Sequence, residues 1–445
     1  MSTIISVTGG LPVPATDRQV IKTAICATLA WSCDLFDLFI ILFVAPQIGD
    51  LFFPSSNPIL SLAAVYASYA ITLVMRPLGS AIFGPYADRY GRRKAMIVSV
   101  GGIGIVTGLM GFLPTINQVG LLAPALFIGL RVLQGVFVGG VVSSSHTIGT
   151  ETVGANRRGL MSGIVGAGAA IGSLLASGMY FGVSHIFSGE SFLIWGWRVM
   201  FFGGFAGAIL SAFVHHAVQE SPLWLGAEQV KHAPSSPLKD LLSRRYLGIN
   251  TVNMMIVIGA ATQIYLTQSY LPAFLKLVNK VPAYDLGGIL VTANFVAIVA
   301  TPLFGALSDS FGRKRVFMFL AAANLVLIPL CYVRLTGLTS DSLGMIYLYA
   351  GILTFCGNAA LAPIMIFLNE RFPTKLRATG TSLSWNVGFA LGGMMPTFVT
   401  LASQTSQNIP STVLVFLIVA TVLYGAGAIL VPETQGNMDK VAEAV

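Results

Sequence analysis

The 445-residue chain is 55% hydrophobic and only 9% charged, against about 25% charged residues in ordinary soluble domains. So few ionisable side chains cannot wet the surface of a chain this long, and a mean hydropathy of +0.80 points the same way, to a polytopic helical membrane protein. The net charge of +8 is scattered among apolar runs rather than gathered on one polar face, which excludes nucleic-acid binding as its purpose.

Residues 1–20 hold prolines and Asp17-Arg18 and lack a basic lead into an apolar run, so the first span is expected to act as an uncleaved insertion signal. About 20 apolar residues cross a bilayer as a helix. By that measure the sequence predicts twelve spans: 21–45, 61–84, 95–114, 121–149, 159–183, 197–217, 247–274, 286–308, 316–334, 343–368, 378–402 and 411–431. With both termini cytoplasmic, every Lys and Arg between spans falls on the inside except Arg198, Lys276, Lys280 and Arg334, as the positive-inside rule requires. The four cysteines sit inside apolar runs without paired spacing and read as small buried hydrophobes rather than a disulfide or metal site.

Ionisable residues inside spans are few, and each costs about 2.5–3.5 kcal/mol at the helix centre on insertion scales. Asp34 and Asp37 in the first span lie three apart and so on one helix face. Arg76 lies in the second span, Arg131 and His146 in the fourth. A membrane-buried carboxylate favours its neutral form, which suits Asp34 and Asp37 to loading and releasing a proton, with Arg131 as counter-ion. The plainer reading is a static ion pair. Arg76 either meets a substrate carboxylate or snorkels to the headgroups. His146 reads as a hydrogen-bonded histidine or a proton relay.

The loop after the second span, "GPYADRYGRRKAM" (84–96), has a partner in "GALSDSFGRKR" (305–315). Gly84/Gly305, Asp88/Asp309, Gly91/Gly312 and Arg92/Arg313 match at a constant offset of 221. "ETVGANRR" from Glu151 and "ERFPTKLR" from Glu370 match at 219, aligning Arg158 with Arg377. Two pairs at nearly one offset predict a duplicated six-helix unit: an N-terminal bundle over 1–217, a polar cytoplasmic linker over 218–246 and a C-terminal bundle over 247–445. The fold class is therefore all-α, with twelve transmembrane helices in two pseudo-symmetric bundles. Physically the loop is a clasp. An Asp ending one helix can accept from the N–H groups that start another, the glycines allow the turn and close approach, and the arginines can pair with Glu151 and Glu370. "GIVGAGAAIG" (163–172) lacks the strand–turn–helix setting of a nucleotide loop and reads as a helix-packing face.

Gly84-x-x-x-Asp88-Arg89-x-Gly91-Arg92-Arg93-Lys94 resembles the loop signature of the major facilitator superfamily. "QESPLW" (219–224) and "PETQG" (432–436) resemble its sugar-porter-like branches. "CDLFDLF" (33–39), "LFFPSSNP" (51–58), "RPLGSAIFG" (76–84), "RVLQGVFVGG" (131–140) and "WGWRVMFF" (195–202) resemble the metabolite:proton symporters, which include proline/betaine, α-ketoglutarate, shikimate and citrate permeases. That branch usually has an acid after the Gly-Gly, where this chain has Val141. The resemblance implies alternating access, a first-helix acid paired with a fourth-helix arginine, and Asp37 rather than Asp34 as the proton carrier.

The sequence thus predicts a proton-coupled symporter of a small organic acid, mono- or dicarboxylate, or of a zwitterion, sufficient as a monomer in an inner or plasma membrane. The expected proton-coupling residues are Asp34, Asp37 and Arg131. The expected substrate contacts are Arg76, Arg131, Gln263, Tyr265, Gln268, Asn358, Trp385 and Asn386, with Asn294 as a further cavity candidate. Each polar residue taken alone also suits a helix–helix hydrogen bond. The gating set is Gly84, Asp88, Arg92, Glu151, Arg158 and their counterparts Gly305, Asp309, Arg313, Glu370 and Arg377. No nucleophile–base set, nucleotide lysine motif or metal cluster emerges, so neither an enzyme nor a cofactor is expected. The rivals are an exporter or drug:proton antiporter of the same fold, and a membrane sensor, which would need a signalling domain.

Overall fold

In the computed structural model, residues 16–56, 58–187, 189–228, 237–403 and 405–438 are described. Lys231 and Lys440 of the expected inside set lie outside them, as does part of the expected linker. The described chain is almost wholly helical. Six long helices form the first half: α1 (Asp17–Phe43), α2 (Pro58–Tyr90), α3 (Arg92–Met110), α4 (Leu122–Thr152), α5 (Ala155–Ile186) and α6 (Phe192–Ala217). Six form the second: α7 (Arg244–Ser269), α8 (Asp285–Phe311), α9 (Arg313–Thr336), α10 (Ser340–Arg371), α11 (Thr374–Gly393) and α12 (Ile409–Leu430). Ten of them are long and apolar enough to span a membrane by length and composition. The other two, α2 and α11, are the second and eleventh expected spans, and they pack along each other where the halves meet.

Most of the helices run a few residues beyond the apolar stretches that predicted them. The charged and polar ends continue the helix, so that α3 and α9 start on Arg92 and Arg313 themselves. The seventh span departs from the expected single helix over 247–274: a wide turn over Tyr265–Ser269 closes α7, and a separate short helix, Leu271–Leu277, follows. A similar wide turn, Val142–His146, interrupts α4; such π-turns inside helices occur often at functional sites.

Two helix pairs join the halves, α2 with α11 and α5 with α8. Helices in lipid associate through close packing of small residues rather than through hydrophobicity. α5 does this on two sides. A methyl group at Gly163 would sit 2.3 Å from the Thr301 carbonyl oxygen of α8, and one at Gly168 would sit 2.5 Å from the Thr28 oxygen of α1. Gly159 and Gly305 face each other just as tightly, a Cβ on either lying 2.4 or 2.3 Å from the other's carbonyl oxygen. Large apolar side chains such as Phe181, Val326, Val419 and Leu401 are more than half exposed on the outside. A water-soluble protein avoids such a continuous surface, and hydrocarbon suits it.

Gly305→Val should force α5 and α8 apart and lower the thermal midpoint of the detergent-solubilised protein by several degrees, overpacking costing about 1–3 kcal/mol. Gly129→Val, where a Cβ meets open space, should leave the midpoint within a degree; scanning fluorimetry of both checks this.

Candidate functional site

One face of the molecule carries two matching clasps. Asp88, at the end of α2, accepts from the backbone N–H groups of Ala378 and Thr379 at 3.1 and 2.9 Å and from the Thr379 hydroxyl at 2.6 Å. Asp309, at the end of α8, accepts from Gly159 and Leu160 N–H, both at 2.8 Å. Asp309 thereby caps the first α-helical turn of α5, which begins at Arg158, where the free N–H groups and the helix dipole favour negative charge; Asp88 grips α11 in the other half just over one turn in from its start at Thr374. Gly84 permits the first crossing, since its Cβ would lie 2.7 Å from Thr379 Cα.

Arginines tie these caps to buried glutamates. Arg92 reaches Asp88 at 3.0 Å and Glu151 at 3.3 Å, and Arg377 comes from the other half to meet Glu151 at 2.7 Å. Arg313 reaches Asp309 at 2.8 Å and Glu370 at 3.1 Å. Arg158, the counterpart of Arg377, acts on the charge of Glu370. Arg92, Arg313 and Arg377 are wholly buried. A buried ion pair contributes little net stability, yet removing one partner costs about 3–5 kcal/mol. Such a network is better suited to marking one conformation than to strengthening the fold.

Two glutamates complete the clasps, and nothing in the sequence reading gave them a role. Glu220 accepts from Arg92 N–H at 3.0 Å and Arg93 N–H at 3.1 Å, the free start of α3. Glu433 does the same for Arg313 and Lys314 at the start of α9, at 2.9 and 3.2 Å. The next residue of each closes the circuit, Ser221 donating to Glu151 at 2.5 Å and Thr434 to Glu370 at 2.8 Å. Gly91 and Gly312 precede these helix starts with φ of 107° and 92°, the region that favours glycine, and a Cβ on either would strike the glutamate carboxylate. The signal was present in "QESPLW" and "PETQG", each an acid followed by a hydroxyl residue just past the last span of its half.

At depth between the halves lies a cavity walled by Trp31, Leu35, Phe39, Arg76, Tyr265, Gln268, Trp385 and Phe389, among others. Arg76 donates to Asp34 at 2.8 Å with both side chains buried. The second Asp34 oxygen and Arg76 Nε have no hydrogen-bond partner among the described residues. Asp37 stands apart from this pair. Its Oδ1 accepts from the Thr107 hydroxyl of α3 at 2.6 Å and from the Gln134 amide of α4, and Arg131 donates to the other end of Gln134 at 2.6 Å.

The expected pairing of Arg131 with the aspartates is thereby corrected. Arg76 is the arginine that salt-bridges Asp34, while Arg131 acts on the charge of Asp37 but is linked to it by hydrogen bonds only through Gln134. The shorter Gln134 side chain, three residues along the same face of α4, fills the place beside Asp37, leaving the guanidinium over the Phe127 ring at 5.6 Å. The two aspartates hydrogen-bond to different helices: Asp34 turns to α2, Asp37 to α3 and α4.

Of the expected substrate contacts, Arg76, Tyr265, Gln268 and Trp385 line the cavity; Arg131, Gln263, Asn358 and Asn386 do not. Asn358 donates to Gln268 at 3.0 Å, and Gln268 to Asn294 at 2.8 Å. Asn294 reaches across to Ser173 of α5 at 3.3 Å. Gln263 accepts from Asn324 at 2.7 Å, and Asn386 donates to Ser80 across the halves at 2.8 Å. These four asparagines and Gln263 act as helix–helix bonds. Trp31, Thr107 and Gln134 are the site residues that sequence reasoning passed over.

Comparison with known proteins agrees with this architecture. The family model described as Major Facilitator Superfamily matches residues 23–395. The chain belongs to that superfamily. It is a membrane transporter of small molecules and not an enzyme. It is 26% identical over 416 residues to a proline/betaine transporter of Escherichia coli, covering 91% of this chain and 82% of that one. It is 27% identical over 403 residues to the shikimate transporter of the same organism, covering 86% and 88%. An inner membrane metabolite transport protein of Escherichia coli is 28% identical over 397 residues, covering 87% and 89%. Among solved structures, the proton:xylose symporter XylE bound to 6-bromo-6-deoxy-D-glucose superposes with a TM-score of 0.78 at 17% identity, over 96% of this chain and 98% of that one.

Replacing Asp88 and Asp309 together with Asn should loosen both clasps. In a cysteine-free background, a maleimide should then alkylate Met365→Cys in the cavity wall several-fold faster from the clasp side. An unchanged rate would mean that the capped helix starts do not hold that side shut.

Proposed function

We propose that the chain is a proton-coupled symporter of a small organic acid or zwitterion. It works by alternating access between a bundle over 1–217 and a bundle over 247–445, joined by a cytoplasmic linker over 218–246. It sits in the cytoplasmic membrane as a monomer, with both termini and the clasp face inward. The observation that carries this reading is the Arg76–Asp34 pair at the cavity wall, a cation whose partner can be exchanged.

The cycle follows from charge balance. With the clasps closed, cargo enters from the far side and its carboxylate takes the Arg76 guanidinium from Asp34. A lone carboxylate at that depth is too costly to keep charged, so Asp34 takes a proton. The loaded site, now with one cargo carboxylate where one aspartate was, carries no extra charge. The clasps then open, the proton leaves inward, and Asp34 reclaims Arg76 as cargo departs. Asp34 is thus a better proton carrier than Asp37, which holds two neutral hydrogen-bond donors and touches no cavity-lining cation. Asp37, Gln134 and Arg131 form a linked network that fixes α1 against α3 and α4 and tunes the pair from behind. The names of the relatives, proline/betaine and shikimate transporters, support a carboxylate-bearing cargo, and XylE, named a proton:xylose symporter, supports proton coupling on this fold.

In proteoliposomes with an inward proton gradient, the chain should accumulate a carboxylate or zwitterion, and collapsing the gradient should stop it. Asp34→Asn should abolish accumulation while retaining counterflow, and Asp37→Asn should slow transport without uncoupling it. Accumulation by Asp34→Asn would overturn the proton assignment; outward movement under an inward gradient would show an exporter instead.

A further inference from the structure

Four buried polar side chains of the same cavity hold atoms that have no hydrogen-bond partner among the described residues: both ring nitrogens of His146, the Ser162 and Thr301 hydroxyls, and the Trp385 indole N–H. They are 1%, 1%, 2% and 3% exposed. Two come from each half, His146 and Ser162 from α4 and α5, Thr301 and Trp385 from α8 and α11. An unpaired buried polar group costs about 1–3 kcal/mol, so four on one cavity wall are a large unmet demand.

Their position is deeper than Arg76. Gly139 packs at the level of Arg76, a Cβ there lying 2.3 Å from the Arg76 carbonyl oxygen, and His146 is seven residues further on, about 10 Å along the helix. Ser162 is one turn from Gly159 and Leu160, whose N–H groups hold Asp309. The wide turn Val142–His146 presents the imidazole, which stands edge-on to Trp31 with centroids 4.5 Å apart and 6.4 Å from Trp385. Neither indole gives it a hydrogen bond.

We propose that His146, Ser162, Thr301 and Trp385 form a second recognition pole for hydroxyl or carbonyl oxygens of the cargo, on the clasp side of Arg76. The cargo class is then a carboxylate bearing oxygen functions away from the carboxylate. This rests on the carboxylate reading above, but the second pole has its own test. The aromatic wall alone would also accept a methylated ammonium; such a group would leave all four polar side chains unanswered. The pole draws on both halves beside the clasps, so an oxygenated cargo bridges them where they must part.

The test uses proteoliposomes of the full chain at one pH and matched pairs that differ by hydroxyl groups: lactate against propionate, tartrate against succinate, carnitine against γ-butyrobetaine. Glycine betaine and myo-inositol are added. The wild type should prefer the hydroxylated member of a pair. Trp385→Phe, which keeps the ring and drops the N–H, and His146→Phe, which keeps the contact with Trp31, should each raise KM for that member about three- to tenfold. KM for the deoxy member should rise far less, and a monodisperse size-exclusion profile reports that the variants fold. A preference for glycine betaine, no preference within any pair, or equal effects on both members would overturn the second pole. If myo-inositol is carried, no carboxylate is, and the variants raise its KM, the carboxylate reading falls while the second pole stands. If none of the probes is carried, both fall.

Discussion

Everything in this molecule turns on a bare helix start. An α-helix begins with N–H groups that have no partner within the helix, and at a membrane face those groups must find an acceptor. Here α5 takes its acceptor from Asp309 of the opposite half and α11 is gripped by Asp88 one turn in from its start, while α3 and α9 take theirs from glutamates that follow the last span of their own half. The first kind of contact joins the two halves; the second lies within one half. One chemical device, a carboxylate on the N-terminal turns of a helix, thereby both joins the halves and fastens each within itself. The arginines between them keep the negative charges from repelling one another once water is excluded.

The cavity obeys the same economy of charge. Membrane depth tolerates Asp34 because Arg76 meets it, and tolerates Arg131 because Gln134 and the Phe127 ring surround it. The difference between the two arginines is access. Both leave guanidinium nitrogens unpaired among the described residues, but Arg76 looks into the space between the halves and Arg131 does not line it.

Much of this was legible in the residues. Twelve apolar stretches gave the helices, and the repeat of Asp88, Gly91 and Arg92 at Asp309, Gly312 and Arg313 announced two halves with matching clasps. The pairing of Glu151 with Arg92 and of Glu370 with Arg313 followed from charge alone. What the sequence concealed was direction. Asp34 and Asp37 share a nominal helix face, but three residues turn the chain through about 300°, and the remaining angle sends them to different neighbours. Arg131 looked the better counter-ion because it sits deep in its span, whereas Arg76 looked close enough to the edge to snorkel. Choosing between them needs the rotation of three helices at once, which no linear pattern holds. Glu220 and Glu433 were missed for another reason: each lies outside the apolar runs, where an acid ordinarily means only a wet surface.

The exchange of caps has a bearing on how such a chain must come into being. Until the second half is threaded into the bilayer, α5 lacks its acceptor and Asp88 lacks the donors it will bind. A newly made first half is therefore an unfinished object, with an open seam of small residues along α5 and a charged end with nowhere to rest. Maturation of the protein is a docking event between two incomplete pieces, and the register of that docking is written in four hydrogen bonds from backbone to carboxylate.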